Sequence, residues 1–106
     1  MAYIYNINFD IRSDQMAELR IGGSLERVLG YLRTLLPGEP GYITSRALYS
    51  LTNNNGTHIL IMSEWQTWED LQQHKDSNFM EQKILKEFSP HIHLEHLNVQ
   101  TFGEID

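Results

Sequence analysis

His74 is the side chain best placed by chemistry to move a proton near neutral pH, and it lies at the edge of an apolar stripe. There an imidazole can accept a phenolic proton, or it can serve as a hydrogen-bonded structural group. Asn6 and Asn8 are polar positions in an otherwise apolar segment. An amide at either can stabilise a phenolate or enolate oxygen, or face solvent on an open sheet. Arg46 can offset an anionic ligand or pair with a carboxylate across an interface between chains. Trp65, Trp68 and Phe79 can stack on an aromatic ligand, although side chains of this size also fill cores.

A second constellation is HIHLEH, in which His91, His93 and Glu95 alternate onto one face of an extended segment. They resemble a two-His-one-carboxylate metal set, but three ligands on one straight strand seldom converge on a single ion. PGEPG is not a phosphate loop, because it lacks the GxGxxG pattern and follows a helix instead of a strand. No nucleophile-elbow signature supports a Ser–His–acid triad. The absence of cysteine removes disulfides, thiolate metal sites, iron–sulfur ligation and Cys nucleophiles.

These residues must be positioned by a chain of 106 residues, the length of a single domain spanning 1–106. Its 41% hydrophobic and 21% charged content is that of a folding globular protein. A net charge of −6, with Lys and Arg scattered without a run, argues against nucleic acid as a partner. The apolar stretches are too short for a membrane span, and MAYIYNINFD lacks the features of a signal peptide, so the expected location is the cytoplasm.

Tyr3, Tyr5, Ile7, Phe9 and Ile11 alternate with Ile4, Asn6, Asn8 and Asp10, which predicts a first strand over 3–11 with one apolar face. The signal over 13–23 is mixed between loop and short helix. Ser24 is the expected cap of a helix carrying Leu25, Val28, Leu29, Leu32, Leu35 and Leu36, stopped by Pro37-Gly38. Residues 42–51 and 57–66 read as a hairpin turning at Asn53-Asn54-Asn55-Gly56. Asn55-Gly56-Thr57 also matches a glycosylation sequon, but without a secretory signal the turn reading takes precedence.

Thr67 is the expected cap of a second helical region in which Trp68, Leu71 and Lys75 share a face. A break near Asp76-Ser77 precedes Met80, Ile84 and Phe88, stacked four apart. Ser89-Pro90 ends that helix, and His91 to about Phe102 alternates as a last strand. The order βαββαβ is the α+β, ferredoxin-like pattern: a four-stranded antiparallel sheet with two helices on one face. An open second face bearing side chains such as Tyr, Met, Leu and Val favours pairing of two sheets, so a symmetric homodimer is expected.

LPGEPGY after the first helix, followed by an apolar strand running into SEWQTWEDLQQHKDS, resembles the antibiotic biosynthesis monooxygenase group of dimeric α+β barrels. Its members show a helix ending in Pro-Gly-Tyr or Pro-Gly-Phe, a Trp closing the third strand, and a His followed by Ser in the second helical region. The resemblance spans roughly residues 3 to 102. It implies a dimeric barrel with a cavity between sheet and helices in each subunit. It further implies monooxygenation of a small aromatic, quinol- or polyphenol-like substrate with no cofactor. Haem-degrading relatives use a Trp and a His in the second helical region. Here His74 and Ile84 stand at those places when Asp76-Ser77 is laid on their corresponding step, so the haem ligand is missing.

A cofactor-free oxygenase must bind an electron-rich aromatic, favour its deprotonated form and hold oxygen beside it away from water. Asn6, Asn8, His74 and Arg46 are the expected catalytic set, with Trp65, Trp68 and Phe79 binding substrate. Two alternatives are a non-enzymatic or stress-related dimer holding a small apolar ligand, and a metal-dependent enzyme built on His91, His93 and Glu95.

Overall fold

The structure is a computed structural model that describes residues 2–12, 23–50, 56–89 and 97–105. Its four strands are β1 (Tyr3–Arg12), β2 (Tyr42–Tyr49), β3 (Gly56–Trp65) and β4 (Asn98–Gly103), in the antiparallel order β2-β3-β1-β4. Helix α1 (Ser24–Gly30) continues through a π-helical turn (Tyr31–Leu35) and a 3-10 turn (Leu36–Gly38). Helix α2 (Trp68–Asp76) leads to a π-helical stretch (Met80–Leu85) that ends in α3 (Lys86–Phe88). The expected ferredoxin-like fold is therefore present. The expectations for residues 13–22, for the Asn53-Asn54-Asn55 turn, and for His91, His93 and Glu95 lie outside the described residues.

Period-two alternation decides which side of β1 is core. Tyr5, Ile7, Phe9 and Ile11 are buried under the helices. Ser63, Ile61 and Ile59 of β3 stand directly opposite Tyr5, Ile7 and Phe9, so they are buried on the same side. Phe88 closes the layer from above, its ring 5.0 Å from that of Phe9. Met80, Ile84 and Phe88 are all buried, so the predicted stripe is real.

Two local expectations change. Gly23, in the left-handed conformation at φ 77, occupies the α1 cap position, and no side chain among the described residues caps the helix. Ser24 is instead buried in the first turn, where its Oγ accepts from Arg27 while Arg27 also makes a two-pronged ion pair to Glu87 of α3. In α2 the buried positions are Leu71 and His74, whereas Trp68 and Lys75 are exposed. The expected break near Asp76-Ser77 is present: α2 ends at Asp76, and Asn78 beyond it is the one non-glycine residue at positive φ (60°) among the described residues.

Among the described residues no helix packs on the far side of the sheet. Leu60 and Met62 of β3 face outward beside Asn8 and Asn6, with Leu48 and Arg46 opposite them on β2. Asn98, Gln100 and Phe102 of β4 complete that face. Val99 pairs with Ile7 on the helix side, and Tyr3, Tyr5, Tyr42 and Tyr49 pair with Trp65, Ser63 or Ile59 on that side too, so among the described strand residues the open face holds Met and Leu as expected but neither Tyr nor Val.

Candidate functional site

Thr67 starts α2: its Oγ1 accepts from the Asp70 backbone N–H at 3.1 Å and donates to Asp70 Oδ2 at 2.8 Å. That start sets Leu71 and His74, three apart, on the buried face. The loop after α1 crosses the same helix, and the Gly41 carbonyl accepts from the Gln66 N–H at 2.8 Å. Gly41 has φ +78, and an added Cβ would lie 2.1 Å from Asp70 Oδ2, so only glycine lets loop and helix approach this closely.

Two residues before Gly41, Glu39 Oε2 meets His74 Nδ1 at 2.6 Å. The His74 side chain has 0% exposure. Its ring stacks on Trp65 with centroids 4.5 Å apart, and Tyr5 and Phe79 pack at 5.5 and 5.7 Å. Burial, the larger influence, pushes the imidazole pKa below its ordinary value, and the Glu39 carboxylate opposes it. His74 is therefore neutral at pH 7. Because a carboxylate only accepts, the proton of the neutral ring sits on Nδ1, and Nε2 presents a lone pair. Nε2 is buried and has no hydrogen-bond partner among the described residues. Such an orphan costs roughly 1–3 kcal/mol, a cost that a ligand hydroxyl would remove.

This burial has a pH signature. Below the ordinary imidazole value the unfolded chain binds a proton that the native ring resists, so the neutral ring's contribution is complete above that value. It is lost as pH falls through the lower native pKa. In urea unfolding, the stability difference between wild type and His74→Gln should shrink from pH 7.5 to pH 5. A difference that grew on acidification would mean an imidazolium stabilised by Glu39.

The predicted residues separate into two groups. His74, Trp65 and Phe79 come together in the sheet–helix layer. Trp65 is fully buried and spends its indole N–H on Ser63 Oγ at 2.9 Å, so its role in this structure is to hold the imidazole. Asn6, Asn8 and Arg46 lie on the open face, across the sheet from His74. There Asn8 accepts from Asn98 and donates to Asn6, each at 3.4 Å. Trp68, 42% exposed, packs edge-on against Tyr3 at 6.1 Å, away from His74. The single seven-residue pocket inferred from sequence is thus divided by the sheet. Among the described residues no cluster of three or more His, Asp or Glu could hold a metal ion.

Glu39 was not anticipated. It lies 35 residues from His74 in sequence, and the only trace of it is an acid between two Pro-Gly steps in LPGEPGY. Also unanticipated is an apolar cleft of about 370 Å³ at the other end of the same layer. It runs between α1 and the β2–β3 hairpin, bordered by Leu25, Leu29, Ala47, Ile61 and Phe88. The crevice beside His74 is smaller, about 80 Å³, between Glu39, Trp65 and Ser77.

No family model matches the chain, and no curated protein matches it by sequence. Solved structures do. A chain from Nitrosomonas europaea assigned to the antibiotic biosynthesis monooxygenases superimposes with a TM-score of 0.63 at 14% identity, covering 98% of this chain and 90% of that one. The fold is that of the antibiotic biosynthesis monooxygenases. SnoaB, a cofactor-independent oxygenase from Streptomyces nogalater, shares it with a TM-score of 0.62 at 10% identity over 99% of this chain and 93% of SnoaB. So does a dimeric protein of ferredoxin-like fold from Bacteroides fragilis, with a TM-score of 0.65 at 10% identity over 95% and 94%. Within this fold, function must be argued from the site. No described helix is long and apolar enough to cross a membrane.

Proposed function

We propose that this chain is a cofactor-independent monooxygenase acting on a small aromatic, quinol- or polyphenol-like substrate, as a homodimer paired through its open sheet faces. The observation that carries the reading is His74: a buried imidazole held by Glu39, its pKa pushed down by burial, with Nε2 unpartnered among the described residues. In the reaction Nε2 takes the phenolic proton, and the Glu39 carboxylate behind Nδ1 stabilises the imidazolium that forms. The electron-rich anion then reduces O2. For an anthrone-type carbon, one oxygen atom replaces two hydrogens to give a carbonyl and the other leaves as water. The substrate supplies all the electrons, so no external reductant is required. Phe79, half-buried, packs on the imidazole with ring centroids 5.7 Å apart, so it is the aromatic neighbour that a ring bound at Nε2 would meet.

Oxygen-electrode measurements on chelator-treated protein with anthrone or a simple quinol test this. Uptake should exceed autoxidation and fall in His74→Gln. Uptake no faster than autoxidation across a panel of such substrates would contradict it.

A second reading is a non-enzymatic dimer that holds a small ligand. It is favoured by the larger cleft, whose only titratable side chains among the described residues are Glu26 and Tyr49. Trp65, the stacking partner of His74, is four residues along β3 from Ile61 in that cleft, roughly 13 Å by strand rise. Saturable binding without oxygen uptake would favour this second reading.

A further inference from the structure

The open face of the sheet is divided into two unlike halves. Asn8 stands opposite Asn98, and Asn6 opposite Gln100, so four primary amides form one block across β1 and β4. Asn98 Nδ2 donates to Asn8 Oδ1 and Asn8 Nδ2 donates to Asn6 Oδ1, both at 3.4 Å, which places these three side chains on one side of the sheet. Beside the block, β3 and β2 present Leu60, Met62 and Leu48, with Arg46 and Glu64 toward one end. Asn8 is only 7% exposed, and a primary amide carries two N–H donors and two carbonyl lone pairs. Bonds of this length are weak and use little of that capacity among the described residues, so an apolar surface laid on the block would strand donors and acceptors away from water.

We infer that a second copy of this chain seats with like over like: its β1–β4 amides over these amides, and its Leu48, Leu60 and Met62 over the same residues here. The orientation rests on the homodimer reading above and goes beyond it in saying how the partner sits and which side chains choose that. A symmetric interface must be complementary to itself. An amide meets that condition because it donates and accepts at once, whereas a charge facing its own copy repels. The described side chains of the face carry Asp10 and Glu64 against Arg46, so it is nearly neutral on a molecule of net charge −6, and two copies repel least there. In the aligned mode of sheet packing the strands of the two layers stay within about 30° of each other. A two-fold axis across the strands then lays β1 over β1 and β4 over β4. An axis along the strands would instead lay β4 over β2 and β1 over β3, burying amides under leucine and methionine. Polar groups in a largely apolar contact exchange some affinity for one orientation, as a lone buried Asn does in a coiled coil.

The test is sedimentation velocity on full-length wild type, Asn8→Leu and Gln100→Leu at pH 7.5, over a dilution series that yields each dimer dissociation constant. With like over like, each leucine leaves the partner's amides buried without a bond, so either variant should weaken the dimer by about tenfold or more, although it makes the face more apolar. Gln100 is exposed in the single chain, so Gln100→Leu carries the test even if Asn8→Leu misfolds. A wild-type dimer that the folded variants leave unchanged or tighten would overturn the orientation and leave the homodimer standing, since tightening is the result expected with amides over leucines. A wild type that stays monomeric at every concentration would overturn both.

Discussion

Gly41→Ala should lower the unfolding free energy by about 2–5 kcal/mol, the sum of left-handed strain and overpacking. The new methyl would meet Asp70 Oδ2 at 2.1 Å, and the Asp70 Cγ and Cβ lie at 2.4 and 2.6 Å. Rotating the carboxylate away is therefore not enough, and the start of α2 must shift. That shift strains three linked contacts: the Gln66-to-Gly41 bond, the Thr67–Asp70 cap and the Glu39–His74 pair. Gly38→Ala is the control, because its Cβ would meet nothing within 4 Å and its φ lies outside the positive range. Urea denaturation at fixed protein concentration measures both. Equal, small losses would show that the loop and α2 are not packed as described.

The second large effect is chemical. His74→Gln should reduce turnover of an anthrone or quinol by roughly 100-fold or more, the usual worth of a positioned general base. Wild type should show an acid limb in kcat/KM with its midpoint below the ordinary imidazole value, since the ring must be neutral to accept a proton. Glu39→Gln removes the charge that raises the His74 pKa, so the limb should move to still lower pH as the rate falls. A limb that stayed in place in Glu39→Gln would assign it to another group.

Much of the fold was legible because one face of each strand is buried. The alternation of Tyr3 to Ile11 identifies the core side of β1, and register then carries that assignment to Ile59, Ile61 and Ser63. Thr67 was legible as a cap because capping is local chemistry. The start of α1 was not, since a left-handed glycine can end the preceding turn and leave the serine that follows free to be buried. The inward face of α2 was misjudged for a related reason. Apolar periodicity counts Trp68 and discounts a histidine, whereas Glu39 makes His74 cheap to bury.

The candidate site was only half legible. Residue types singled out His74 and Trp65, but no local pattern joins Glu39 to His74 across 35 residues. Nor can residue type alone show that the sheet stands between His74 and the amides of Asn6 and Asn8. That separation follows from period-two geometry once the helices are known to cover the Tyr5 side.

The most direct test of the account needs no substrate. Two-bond 1H–15N correlation spectra of 15N-labelled protein, with His74 assigned through His74→Gln, report both its tautomer and its titration. At pH 7 the ring should be neutral with its proton on Nδ1 and an unprotonated Nε2, and it should titrate below the ordinary imidazole value. An imidazolium persisting through pH 7, or a neutral ring protonated on Nε2, would remove the proton acceptor on which the proposed reaction depends.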